Sequence, residues 1–178
     1  GGESVKEITV SYVKHVLGHK KEMISDGRKR MKELYEEINS TDFSIREAAY
    51  TKVLNDIPQT SSHSKDLSDI LLKQKKIYQE QAQDLQSEII SILEEEESIH
   101  RIWVCFRALE DPGRKYLEEI YVFNNLYRYV EQTSGVSHRK FEETRSQAMK
   151  ELIRLYQSDL SNKEIILGAG WLKKGKED

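Results

Sequence analysis

The sequence predicts an all-α protein, and three observations carry that expectation. Only two prolines, Pro58 and Pro112, interrupt 178 residues, so helices can run long without losing a backbone donor or meeting a ring clash. Apolar residues recur at three- and four-residue steps along most of the chain, which is the period of one helix face. The composition is 37 % apolar and 33 % charged, a balance that suits thin helical layers better than one large core.

The first helical segment spans 5–38. Val5, Ile8, Tyr12 and Val16 form one stripe, and Ile24, Met31, Leu34, Tyr35 and Ile38 form a second. Gly18 weakens the helix between them. Ser44 with Glu47 three residues on reads as a capping box, opening a short helix through Ala48 and Ala49 that ends before Pro58, because the residue preceding proline is pushed out of the helical region. A polar loop over 58–64 follows, with Ser64 as N-cap. The next helix is expected over 65–97, about 50 Å long at ~1.5 Å per residue. Leu71, Tyr78, Leu85 and Ile92 stand seven residues apart, whereas the companion seam of Gln74, Gln81 and Glu88 is polar. A coiled coil wants both seams apolar. The helix therefore packs along a narrow stripe, widened by Ile70, Ile77 and Ile89, with the N-terminal helix as its natural partner. Its length suggests a homodimer.

Residues 94–97 are four consecutive acids and read as a solvated face. A compact part is expected from Ile99 onward, through Ile102, Trp103, Phe106 and Leu109. In Asp111-Pro112-Gly113, Asp111 can cap a helix and Pro112 suits its first position. Tyr116, Leu117, Ile120 and Tyr121 form its apolar face, and Asn124-Asn125 marks a turn. The chain then reads as short helix, tight turn, longer helix. Gly135 can leave the first helix in the left-handed conformation, Val136 can fill the gap between the helices, and Ser137 can cap the second. Phe141, Ala148, Leu152 and Leu155 recur at helical spacing on an inward face, and small Ala148 permits close approach of a neighbouring helix.

Such a hairpin can read DNA, since a recognition helix uses its N-terminal turns to reach base edges and phosphates. The candidate DNA-binding residues are Ser137, His138, Arg139 and Lys140 at the start of the second helix, with Arg145 near the same side and Arg128 on the preceding helix reaching the backbone. Residues 109–156 resemble region four of bacterial sigma factors and its relatives, including the phage-borne late transcription regulators of the ArpU type. The resemblance rests on the aromatic helix around Tyr116 and Tyr121, the turn Gly135-Val136-Ser137, Phe141 four residues after the serine, and Ala148-Met149 with Leu152 behind them. It implies a DNA-binding transcription regulator, with double-stranded DNA as partner and RNA polymerase as a second. The sequence departs from the family pattern at Glu131, where a small residue is usual, and at Ser134, where leucine is. Glu142 and Glu143 place acids on the recognition helix.

The remaining features narrow the function classes. A net charge of −3 leaves DNA contact to a local patch. No apolar run is long enough for a transmembrane helix, and no secretory leader is visible. Cys105 is the one cysteine, which fits a reducing cytoplasm; beside Phe106 it reads as a small buried residue, not a nucleophile. His15 and His19 share a helix face but read as surface histidines, since no glutamate lies inside the spacing to give a metalloprotease signature. Gly168-Ala169-Gly170 has no preceding strand and is no nucleotide motif. The chain is expected to be a non-enzyme without cofactor or metal. Its parts are 1–98 (helical region with the long helix), 99–160 (helix-turn-helix module) and 161–178 (a tail with Lys173, Lys174 and Lys176, read as disordered). The alternative from another class is a helical interaction protein whose module binds protein, such as RNA polymerase, without reading DNA.

Overall fold

The computed structural model describes residues 7–40, 47–49, 51, 52, 55 and 62–168, with side chains of the long helix from residue 69 onward. The expectations for Val5, for the Ser44 capping box and for the loop over 58–61 fall outside those residues; residues 62–64, expected as loop with Ser64 as N-cap, are instead already helical, so the long helix begins at Ser62 and Ser64 lies inside it. The protein is all-α. Its elements are α1 (Val10–Ile38), α2 (Ser62–Ala108), α3 (Gly113–Leu117), a π-helical turn (Glu118–Val122), α4 (Tyr127–Ser134), α5 (His138–Gln157) and α6 (Asn162–Gly168). Residues 47–49, 51 and 52 are also helical.

Helix α2 runs on through the four acids to Ala108, eleven residues past the expected end at 97. Glutamate is a good helix former, so nothing at 94–97 breaks the helix, and Arg107 in the last turn complements the C-terminal dipole. The chain divides into two compact units. One comprises Gly1–Ile24 with Glu96–Asp178, the other Ser25–Glu95. This differs from the expected boundary at 98 because Val13, Val16 and Leu17 bury in the same core as Ile99, Ile102, Cys105 and Leu109. The start of α1 thus belongs with the C-terminal helices.

In the unit Ser25–Glu95, α1 lies against α2. Leu34 and Ile89 are buried, Arg30 Nε donates to Glu88 at 2.9 Å, and a Cβ on Gly27 would stand 3.2 Å from Ile92. Tyr78, Leu85 and Ile92 are half-buried. Ile70 and Ile77 are instead about half exposed, at 55 % and 51 %, so they do not widen the inward stripe. Glu88 and Ile92 of the long helix thus meet α1 of the same chain, the partner its stripe is expected to have.

In the other unit, α1 kinks at His19 (φ −134°, ψ 20°). The preceding Gly18 lets the backbone come close, since a Cβ there would sit 3.1 Å from the Tyr121 carbonyl oxygen. The His15 and His19 rings stack at 4.4 Å. Helix α3 packs on α5, and the contact is tightest where Gly113 faces Ala148. Asp111 makes no cap: its carboxylate takes Arg114 Nε at 3.3 Å, and Pro112 itself holds the N-cap position. The helix expected through Tyr121 changes to a π-turn after Leu117, where the Phe123 N–H bonds Glu118 O at 2.9 Å. Asn124 then turns the chain at φ 56°, a conformation asparagine tolerates.

The region expected to be a disordered tail begins with α6. Ser161 and Glu164 form a capping box, the Glu164 N–H donating to Ser161 Oγ and the Ser161 N–H to Glu164 Oε2, both at 3.1 Å. Ile165 buries in the core. Residues 169–178, with the three lysines, lie outside the described set.

Arg101 on α2 ties these parts together. Nε donates to Tyr156 O at 2.9 Å and Nη1 to Asn162 Oδ1 at 2.8 Å. Nη2 is shared among the carbonyls of Leu155, Ser158 and Leu160 at 3.2, 3.1 and 2.9 Å. Beside it, Ser98 and Tyr156 hydroxyls bond at 2.6 Å.

A methyl group on Gly113 would lie 2.8 Å from Ala148 Cβ. Gly113→Ala is therefore expected to cost about 1–3 kcal/mol by overpacking, measured by urea denaturation. Adding Ala148→Gly should return part of that loss; no recovery in the double variant would mean the contact is not the cause.

Candidate nucleic-acid interface

The hairpin of α4 and α5 is built as its residues require. Gly135 ends α4 in the left-handed conformation, φ 73°, ψ 6°. Ser137 stands in extended backbone and its Oγ accepts the Lys140 N–H at 3.2 Å, satisfying one of the orphan donors at the start of α5. A small core of Tyr116, Val130 and Phe141, flanked by Ile120 and Tyr127, joins α3, α4 and α5. Phe141 is fully buried, with ring centroids of Tyr116 and Tyr127 at 4.5 and 5.2 Å. Ala148 and Leu152 face inward as expected, while Leu155 is only half-buried. Val136 does not fill the gap between the helices. It is 40 % exposed, because Phe141 and Val130 already close that space.

Polar ties hold the turn at Glu131 and Ser134. The Glu131 carboxylate reaches across the turn to His138 Nδ1 at 2.6 Å. The Ser134 hydroxyl donates to Glu131 O at 2.5 Å, closing the last turn of α4. These two hydrogen bonds bracket the turn between α4 and α5.

The candidate DNA-binding residues separate into two groups. Arg128, Ser137, His138, Arg139 and Lys140 are exposed. Arg139 stands 90 % exposed and pairs with Glu143 at 3.1 Å, an arrangement worth about 0–1 kcal/mol and readily exchanged for a phosphate. Arg145 does not share that face. Its side chain is 16 % exposed and turns inward, donating to both oxygens of Glu142 and, at 2.9 Å, to Tyr121 Oη. Tyr127 Oη donates to the same Glu142 at 2.5 Å. Glu142 is thereby engaged, and Glu143 is the acid left on the outward face of the first turns.

This cluster sets the ionisation of its members. The Arg145 guanidinium, and then the Tyr127 hydroxyl, hold the Glu142 carboxyl down to about 2. Burial and the bond to Glu142 push the Tyr127 phenol up to about 12. The hydrogen bond to Glu142 raises Arg145 further above its already high value. Away from this face, Cys105 is fully buried and burial pushes its thiol up to about 11, which leaves little thiolate at neutral pH. Among the described residues, no group of three or more His, Cys, Asp or Glu side chains could hold a metal ion, and no helix is long and apolar enough to cross a membrane.

Sequence reasoning missed Tyr121, Tyr127 and Glu131 as parts of the site. Tyr127 and Glu142 stand fifteen positions apart, on either side of the turn, and only the folded hairpin brings them together. No family model matches the chain, and neither the curated proteins nor the solved structures yield a significant match.

Because Glu142 is held near 2 when folded and near its ordinary 4.5 when unfolded, its contribution to stability is present above about pH 4.5 and fades as pH falls toward 2. Glu142→Gln should lower Tm at pH 7, and the difference from wild type should shrink steadily down to pH 2 in thermal melts. A gap independent of pH would show that the carboxylate charge does not carry the contact.

Proposed function

We propose that this protein is a DNA-binding transcription regulator that places the first turns of α5 in the major groove, as the resemblance to sigma region four and to the ArpU-type phage regulators implies. One observation carries the reading. A glycine turn and a serine cap present Arg139 and Lys140 outward on the first turn of a 20-residue helix, while Phe141 anchors that turn from below. Arginine and lysine suit guanine edges and phosphates, and the uncompensated N–H groups at the helix start favour an anion. His138 adds a donor, and Arg128 on α4 stands ready for the DNA backbone. Glu142 is turned away from the DNA side, which removes one of the two acids that would repel phosphate.

A selection of bound fragments from the source genome, followed by fluorescence titration on the best duplex, tests this. Arg139→Ala with Lys140→Ala should weaken binding about tenfold or more and reduce the salt slope by about 2. Equal affinity and an unchanged slope would remove these residues from the interface.

A second reading has its own observation. Phe123, Leu126 and Tyr129 are exposed by 61 %, 79 % and 58 % at the start of α4, and exposed apolar clusters mark protein contacts. This reading makes the module a docking surface for RNA polymerase that does not read DNA. Leu126→Asp separates the two: loss of binding to the purified polymerase with duplex binding intact favours the polymerase contact, and the reverse outcome excludes it.

A further inference from the structure

The cleft beside Trp103 carries an inference that does not depend on the DNA reading. It has a volume of about 390 Å³ and is lined by Trp103, Phe106, Arg107, Arg114 and Glu118. Lys20 of α1 lays its ammonium 4.6 Å above the Trp103 ring, and Phe106 meets that ring edge-on at 5.4 Å.

Two features of this cleft call for an anion. The first is charge. Lys20, Arg107 and Arg114 gather here with Lys21 close by, and the opposing acids are Glu118 in the cleft and Asp111, which is already bonded to Arg114. Such a concentration of cations stands out in a chain of net charge −3. Burial, then the like charges of Arg107 and Lys21, lower the Lys20 ammonium from its ordinary value, and an anion would relieve that repulsion. The second feature is an unused fork. Arg107 is exposed and makes no hydrogen bond or ion pair among the described residues, so its guanidinium is available for bidentate binding.

We propose that Lys20, Arg107, Arg114 and the Trp103 indole form a binding site for a phosphate-type oxyanion. Arg107 supplies the fork, Lys20 and Arg114 supply charge, and Trp103 offers a flat apolar wall. The same chemistry could come from a free phosphorylated small molecule or from a backbone phosphate of a duplex.

Trp103 reports on its own site. Trp171→Phe leaves it the single tryptophan of the full chain, and its emission can be followed during titration with inorganic pyrophosphate and, separately, with a 20-base-pair duplex. The site predicts a saturable emission shift with at least one probe. Arg107→Ala and Lys20→Ala should each weaken it about tenfold, and Arg107→Lys should be intermediate, with far-UV circular dichroism unchanged. A shift with pyrophosphate alone assigns a small phosphorylated ligand. A shift with duplex that is weakened by Arg107→Ala and survives Arg139→Ala with Lys140→Ala assigns a DNA phosphate, and separates this site from the α5 surface. No shift with either probe, or a shift indifferent to Arg107 and Lys20, overturns the proposal.

Discussion

The last turn of a helix leaves carbonyl oxygens without donors, and α5 ends against a single side chain that meets this need. The Arg101 guanidinium has five N–H groups in a fixed plane. It directs them at Tyr156, Leu155, Ser158 and Leu160 carbonyls and at the Asn162 side chain. A cation here also faces the negative end of the α5 dipole. One residue of α2 thereby fixes the end of α5, the loop after it and the start of α6. The apolar contacts around it, from Val16 and Ile102 to Leu152 and Ile165, depend on that register. Deleting the guanidinium would leave several half-buried acceptors unmet at once.

Anchoring one end of α5 frees the other to work. The first turn meets the rest of the protein through Phe141 inward and through the Glu131–His138 tie at the turn. Everything else on it points to solvent. The Glu142–Arg145–Tyr121–Tyr127 cluster sits midway and absorbs one acid and one base that would otherwise stand on the outer face. The helix is thus graded along its length, with a packed and clamped C-terminal half and an exposed N-terminal turn carrying Arg139 and Lys140. This combination of a rigid scaffold and an exposed end is what the proposed DNA contact would require.

Local chemistry was readable from the residues, and long-range chemistry was not. Gly135 and Ser137 act on their immediate neighbours, so the turn and its cap follow from the order of residues alone. Ala148 and Phe141 follow from helical period. Arg101 could not be foreseen, because its acceptors lie 54 to 61 residues away and a lone arginine on a charged helix resembles any other. The end of α2 was misplaced because a run of glutamates looks like a boundary in composition while remaining a good helix in propensity. Grouping the start of α1 with the C-terminal helices requires knowing what the stripe through Val16 packs against, and periodicity is silent on partners. Ser161 with Glu164 has the spacing of a capping box, while the glycines and lysines beyond it have the composition of a tail.

The clamp is tested most directly by amide hydrogen exchange on Arg101→Lys, which keeps the charge and removes the planar fork. The account predicts faster exchange, by about tenfold or more, across the last turn of α5, the 158–161 loop and α6. Amides around Phe141 and Glu142 should stay as protected as in the wild type. Unchanged protection at the end of α5 would contradict the claim that Arg101 holds it.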